Sequence, residues 1–122
     1  MDWQNVVVTG ASRGVGEVLV RRLAAQGKKV FAFARSEDKL RALEKQSGGA
    51  IVALPLDVRS PSQIAAAYER IEREFGPIDV LVNNAGVFQT HDFWTQDLEA
   101  IDRIIDINLK SALYCTRLGL PY

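Results

Sequence analysis

Thr9-Gly10-Ala11-Ser12-Arg13-Gly14-Val15-Gly16 follows the apolar run Val6-Val7-Val8 and leads straight into a helical pattern. Three glycines in that setting suit a strand, a tight turn and a helix that together receive an anion. Gly10 lets the chain turn sharply off the strand, Gly14 can bring bare backbone close to a pyrophosphate, and Gly16 permits close packing of helix on sheet. The first helical N–H groups have no intrahelical partner and carry partial positive charge, which fits a diphosphate; Ser12 and Arg13 can add side-chain contacts. The spacing is Gly-x-x-x-Gly-x-Gly, not the commoner Gly-x-Gly-x-x-Gly, and an ordinary strand-to-helix turn could use it too. The rest of the chain decides between these readings.

Outward from this stretch, apolar runs of strand length alternate with amphipathic ones, the pattern of βα units around a buried parallel sheet. The first strand is expected over Asn5 to Thr9. Its helix follows from Gly14 to Gln26, with Val15, Val18, Leu19 and Leu23 on the inward stripe and Gly27 as the stop. Val30 to Ala34 is the second strand. Ser36 can cap the next helix, with Glu37 and Asp38 at its positive end, Leu40 and Leu43 facing inward, and Ser47-Gly48-Gly49 ending it. A third strand runs from Ala50 to Leu56. Ser60-Pro61-Ser62-Gln63 reads as a capping box, and Ile64, Ala67, Tyr68, Ile71 and Phe75 recur at helical spacing before Gly76-Pro77. A fourth strand, Ile78 to Val82, leads into the loop opened by Asn83-Asn84-Ala85-Gly86. One long final helix is expected from Leu98 to about Leu118, carrying Leu98, Ile101, Ile104, Ile105, Leu109, Ala112 and Leu113.

Right-handed crossovers then order the strands 3-2-1-4 in a doubly wound parallel α/β sheet, a Rossmann fold, over a single unit spanning 1–122. The ligand crevice is expected outside the carboxyl ends of strands 1 and 4, where the glycine turn and Asn83-Asn84-Ala85-Gly86 both fall.

The 122 residues include 15 basic and 15 acidic side chains, so formal charge cancels and no long basic block suggests a nucleic-acid partner. The single Cys115 excludes an internal disulfide and a cysteine-cluster metal site. No apolar run approaches the roughly 20 residues that span a bilayer, and the opening Met1-Asp2-Trp3-Gln4 has no signal-peptide character. A cytoplasmic protein without membrane association is the expectation. His91, the sole histidine, reads as a surface residue with no companion ligand, so no metal site is expected. Cys115 reads as a small buried residue, and Phe93 and Trp94 as packing their loop against the sheet, with closure over a ligand as the other use. Ser111 and Thr116 read as helix-surface hydroxyls.

Four motifs in order, Thr9-Gly10-x-x-x-Gly14-x-Gly16, Leu56-Asp57-Val58, Asn83-Asn84-Ala85-Gly86 and Asp106-Ile107-Asn108-Leu109, resemble those of the short-chain dehydrogenase/reductases. The resemblance covers essentially the whole chain. It implies a pyrophosphate loop of Gly10, Ser12, Arg13, Gly14, Val15 and Gly16, and adenine contacts from Asp57 and Val58. Asn83, Ala85 and Gly86 would line the middle of the cofactor, Asn83 also steadying the central strand. Asn108 would support a bound water in a proton relay. Local readings stand beside these: Asp57 could end its strand by bonding nearby amides, and Asn83 and Asn84 could be turn residues. Asn108 is harder to explain away, because an amide inside an apolar helix needs partners if it faces the interior.

Cofactor preference follows from the end of strand 2. A free ribose diol is held there by a carboxylate, about 20 residues past the glycine turn, whereas a 2′-phosphate needs a positive group. The end of strand 2 reads Ala34-Arg35-Ser36, and Arg13 enters from the glycine loop. NADP(H) is therefore favoured over NAD(H). Glu37 and Asp38 follow at once and could weaken that positive field.

In the family the chemistry rests on a Tyr-x-x-x-Lys pair and a serine after strand 5. None of Tyr68, Tyr114 and Tyr122 is followed by a lysine at that spacing. The chain is thus expected to be the cofactor-binding, N-terminal half of an oxidoreductase moving hydride between NADP(H) and a small carbonyl or alcohol, inactive by itself. A non-catalytic nucleotide-binding or assembly module is the alternative. A nucleoside-diphosphate-sugar epimerase-like domain fits Asn83-Asn84-Ala85-Gly86 less well. Strand 4 as an apolar edge, and a final helix that commonly lies in a subunit interface in the family, imply a homo-oligomer.

Overall fold

Residues 2–87 and 92–122 are described by a computed structural model; the expectation for His91 lies outside them. Strands β1 (Asn5–Thr9), β2 (Lys29–Ala34), β3 (Ile51–Pro55) and β4 (Val80–Val82) form one parallel sheet ordered β3-β2-β1-β4. Helices α1 (Gly14–Ala25), α2 (Glu37–Gln46) and α3 (Pro61–Phe75) make the crossovers. The strand order is the expected one, and it places the ends of β1 and β4 side by side, with Val8 opposite Val82.

Alternation along the strands builds two apolar layers, since successive side chains of a strand point to opposite faces. Val6, Val8, Val30 and Ala32 pack against Val20 of α1 and Leu40 and Leu43 of α2. On the other face Val7, Phe31 and Phe33 pack against Ile64, Ala67, Tyr68 and Ile71 of α3. A sheet covered on both sides needs near-continuous apolar strands, which is why Val6-Val7-Val8 shows no polar alternation.

The edge strand β3 is closed by its own neighbours. Its outward backbone positions are Ile51, Ala53 and Pro55: Ile51 N donates to Ser47 Oγ at 2.9 Å, Ala53 N to Glu44 Oε2 at 2.8 Å, and proline has no N–H. At the opposite end of the strands, Asp79 Oδ2 accepts from the amides of Gln4 (2.8 Å) and Asn5 (2.9 Å), and Asn5 Nδ2 donates to Pro77 O at 2.8 Å. These bonds latch β1 to the start of β4 and hold the Asp79 carboxyl below its ordinary range, the Asn5 amide contributing most.

Several local expectations need correction. Val15 and Val18 are 76% and 52% exposed, not inward. The expected Leu19 and Leu23 do pack against the core, but the buried positions of α1 are Gly16 and Val20, because the glycine that lets the helix approach the sheet must itself face the sheet. Ser36 sits at the N-cap of α2 but its hydroxyl makes no capping bond. Ser60 does cap α3, accepting from Gln63 N at 3.4 Å, yet Gln63 does not return the bond: its Oε1 accepts from Asp57 N at 2.8 Å. β4 is shorter than Ile78 to Val82, since the Ile78 amide donates to Tyr122 O.

The long final helix is in fact three segments, α4 (Leu98–Ile105), a π-helical turn (Asp106–Lys110) and α5 (Ser111–Gly119). Ser111 is buried, its hydroxyl donating to Ile107 O inside the widened turn, so it is not the surface group expected. Phe93 and Trp94, in a short 3-10 turn, are 75% and 82% exposed and do not pack on the sheet.

Candidate cofactor-binding cleft

Where β1 and β4 end, the chain diverges to either side and leaves a cleft of about 380 Å³. Such a crevice at the topological switch point is where doubly wound sheets take their ligands. Its lining brings together Gly10, Ser12, Arg13, Gly14 and Val15 from the glycine turn, Arg35 and Ser36 after β2, Asp57 and Val58 after β3, and Ala85 and Gly86 after β4. Ala34, Leu56, Asn84, Val87 and Ile107 also line it, and the sequence reading had named none of these as site residues.

The glycine turn is built as its spacing requires. Gly10 and Gly14 hold φ of +64° and +58°, backbone that side chains rarely adopt. An added Cβ on Gly14 would meet nothing within 4 Å, so that face of the turn is open to the cleft. Gly16 is the opposite case and does not line the cleft: a Cβ there would lie 2.0 Å from Gly10 O. Arg13 occupies the N-cap of α1 without a side-chain capping bond, which leaves the first-turn amides available to an anion.

Thr9 and Asn84, which lie inside the sequence motifs without a ligand contact assigned to them, tie β4 to this turn. Thr9 Oγ1 accepts from Asn84 N (3.0 Å) and Ala85 N (2.9 Å), and Asn84 Nδ2 donates to Gly10 O at 3.2 Å. A threonine ending an apolar strand was the available signal, because a buried hydroxyl there must find partners. Asn83 points away from the cleft, its amide donating to Thr116 Oγ1 at 3.1 Å. It steadies the end of β4 against α5, and its partner Thr116 is exposed on the helix surface, as expected.

Asn108 lies in the π turn, and both ends of its amide are committed to one residue. Its Oδ1 accepts from Val87 N at 2.6 Å and its Nδ2 donates to Val87 O at 2.7 Å, an imitation of strand pairing that pins the loop after Gly86. The side-chain amide is thus engaged by Val87, and Asn108 is not part of the cleft lining, while the neighbouring Ile107 forms part of its wall.

Electrostatically the cleft is divided. Arg13 and Arg35 form no ion pair among the described residues. Asp57 is engaged by Arg59, whose Nη2 lies 2.8 Å and Nε 3.2 Å from Oδ2, while the Arg59 amide donates to Oδ1 at 2.9 Å. The local strand-ending use of Asp57 is thus real, and with three Arg59 N–H donors on about four acceptor sites its carboxylate keeps about one lone pair for a ligand donor. The Arg59 side chain holds this carboxyl below its ordinary range against partial desolvation, with a smaller contribution from Arg35. Glu37 lies 3.8 Å from Arg41, one turn along α2.

Tyr68 is fully buried and donates to Cys115 O at 2.7 Å; burial pushes its phenol far up, so it serves packing and not proton transfer. Cys115 is likewise buried, its thiol pushed up to about 11 by desolvation. No group of three metal-ligating side chains occurs among the described residues, and no described helix is long and apolar enough to cross a membrane.

The sequence model of the short chain dehydrogenases matches residues 4–122. The chain belongs to that family. Among curated relatives of this short-chain dehydrogenase, the ketoacyl reductase HetN of Nostoc sp. is 40% identical over 121 residues, covering 97% of this chain and 42% of HetN. The 3-oxoacyl-[acyl-carrier-protein] reductase FabG of Escherichia coli is 40% identical over 105 residues, 86% of this chain and 43% of FabG. Among solved structures, a 3-ketoacyl-(acyl-carrier-protein) reductase from Brucella melitensis complexed with NADH superposes with a TM-score of 0.92 at 30% identity, covering 97% of this chain and 49% of that one. The chain thus spans less than half the length of these relatives, and what it shares with them is the nucleotide-binding oxidoreductase fold.

Proposed function

We propose that this chain is the NADP(H)-binding half of a short-chain oxidoreductase acting on a carbonyl or alcohol substrate. One observation carries the cofactor preference: Arg35, Ser36 and Arg13 border the cleft at the end of β2, where no carboxylate stands. The Ser36 hydroxyl is not spent on capping α2 and can donate to a 2′-phosphate beside the Arg35 fork. The uncapped α1 amides and the open face of Gly14 fit a diphosphate. In this reading Asp57 and Val58 meet the adenine edge and Ala85 and Gly86 the middle of the dinucleotide, which their shared position in the cleft lining supports.

Hydride chemistry would be supplied by the bound nicotinamide; the protein contributes position and electrostatics. Thr9 and Asn84 hold the β4 loop against the glycine turn, and Asn108 serves the reading by fixing Val87 behind Gly86. A carbonyl substrate, with the alcohol as its reduced form, agrees with the relatives named as ketoacyl and 3-oxoacyl-[acyl-carrier-protein] reductases. Apolar side chains exposed along α4, the π turn and α5, among them Leu98, Leu109 and Leu113, support self-association through these segments.

Calorimetric titration of the 122-residue protein with NADP⁺ and NAD⁺ at one salt concentration tests the proposal. Saturable binding favouring NADP⁺, with the preference lost in Arg35→Ala, is expected. Equal affinity for both, or a preference for NAD⁺, would refute it.

A further inference from the structure

The proposed 2′-phosphate site has acidic neighbours, and the structure shows how one of them is neutralised. Asp57 shares the cleft wall with Arg35 and Ser36. Left alone, its carboxylate would be a competing partner for Arg35, whose charge already acts on it across the cleft wall. The carboxylate is not left alone. Arg59 reaches back two residues and takes both oxygens with Nε and Nη2, at 3.1 Å to Oδ1 and 2.8 Å to Oδ2, while its own amide closes the turn. Arg59 does not itself line the cleft. Among the described residues Asp106 also acts on it electrostatically, and Asp106 is already paired with Lys110 at 3.2 Å.

We infer that Arg59 is a specificity-determining positioning residue: by engaging Asp57 it keeps Arg35 available for a 2′-phosphate, without touching the cofactor. The inference rests on the NADP(H) reading above and adds a residue to it. It separates two jobs of Asp57, which can still accept from an adenine amino group with a remaining lone pair while its charge is offset by Arg59. Arg41 acts in the same sense on Glu37, though at 3.8 Å and on an exposed surface the effect is weaker.

A double-mutant cycle isolates the effect. Adenosine 2′,5′-bisphosphate and 5′-AMP are titrated into the wild type, Arg59→Met, Asp57→Asn and the double variant, and the ratio of the two dissociation constants is compared, so that changes in adenine binding common to both ligands cancel. Arg59→Met is expected to lower the preference for the bisphosphate about fivefold to tenfold, as coupled charges of this kind do, and the same substitution in the Asp57→Asn background is expected to change it less than about twofold. Arg59→Lys, which keeps the charge but loses the fork, should fall between. Circular dichroism establishes that each variant is folded, and Arg59→Lys carries the test if Arg59→Met is not. An equal loss in both backgrounds would mean that Arg59 acts through its own charge and overturns the inference, as would an unchanged ratio in Arg59→Met. A wild type that shows no preference for the bisphosphate would instead remove the NADP(H) reading itself, and the inference with it.

Discussion

Gly16→Ala should be among the most damaging single-methyl additions in this chain. The new Cβ would stand 2.0 Å from Gly10 O, 2.6 Å from Asn84 Nδ2 and 2.9 Å from Gly10 C. Two of these are backbone atoms, and Gly10 O is held by Asn84, so no flexible side chain can swing aside. Relief requires α1 or the glycine turn to move by more than about 1 Å; overpacking of this severity belongs at the upper end of the usual range, about 3 kcal/mol. Alanine's better helix propensity returns about 1 kcal/mol. A net loss of about 2 kcal/mol corresponds to a fall in melting temperature of about 8 °C for a chain of this size. The assay is thermal unfolding followed by circular dichroism, paired with NADP⁺ titration, because a displaced Gly10 also displaces Ala85 and the cleft wall. Melting within a degree of wild type, with binding retained, would show that the close approach of α1 to the turn is not a constraint and would refute the argument.

Thr9→Val keeps shape but removes the acceptor shared by the Asn84 and Ala85 amides, and should cost about 2 kcal/mol in urea denaturation, with Thr9→Ser close to wild type. Asp79 titrates below its ordinary value when folded, so its bonds to Gln4 and Asn5 stabilise above about pH 4 and are lost as pH falls through the folded value. Asp79→Asn retains an acceptor but does not titrate; its stability should decline less steeply between about pH 4 and pH 2 than the wild type's, and parallel acid-unfolding curves would contradict this.

How much could be read from the residues alone depended on whether the signal was periodic. The strands, their order and the glycine turn follow from runs of Val, Ile and Phe and from three glycines, because burial on both faces of a parallel sheet imposes that pattern. The stripe of α1 was misplaced by assigning Val15 and Val18 inward by hydrophobicity, when the contact-forming residue is the one without a side chain. The π turn was invisible, since an extra residue per turn shifts a helical face without changing composition. Asn83 and Asn84 are adjacent and chemically identical, and only three dimensions show that Asn84 meets the turn while Asn83 meets Thr116. The Arg59 fork on Asp57 is a side-chain conformation, which spacing permits but does not dictate.

The capped amides of β3 give the sheet a direction of growth. With Ser47 and Glu44 occupying the outward N–H groups and proline supplying none, that border offers an incoming strand no donor. The border at β4 carries no such side-chain bond among the described residues. Any extended segment that lengthens this sheet, from the same molecule or another, therefore has a single berth, immediately beside the loop that walls the cleft. Strand addition and cofactor binding would then meet at the same boundary, so that whatever docks there can change the shape of the nucleotide site without entering it.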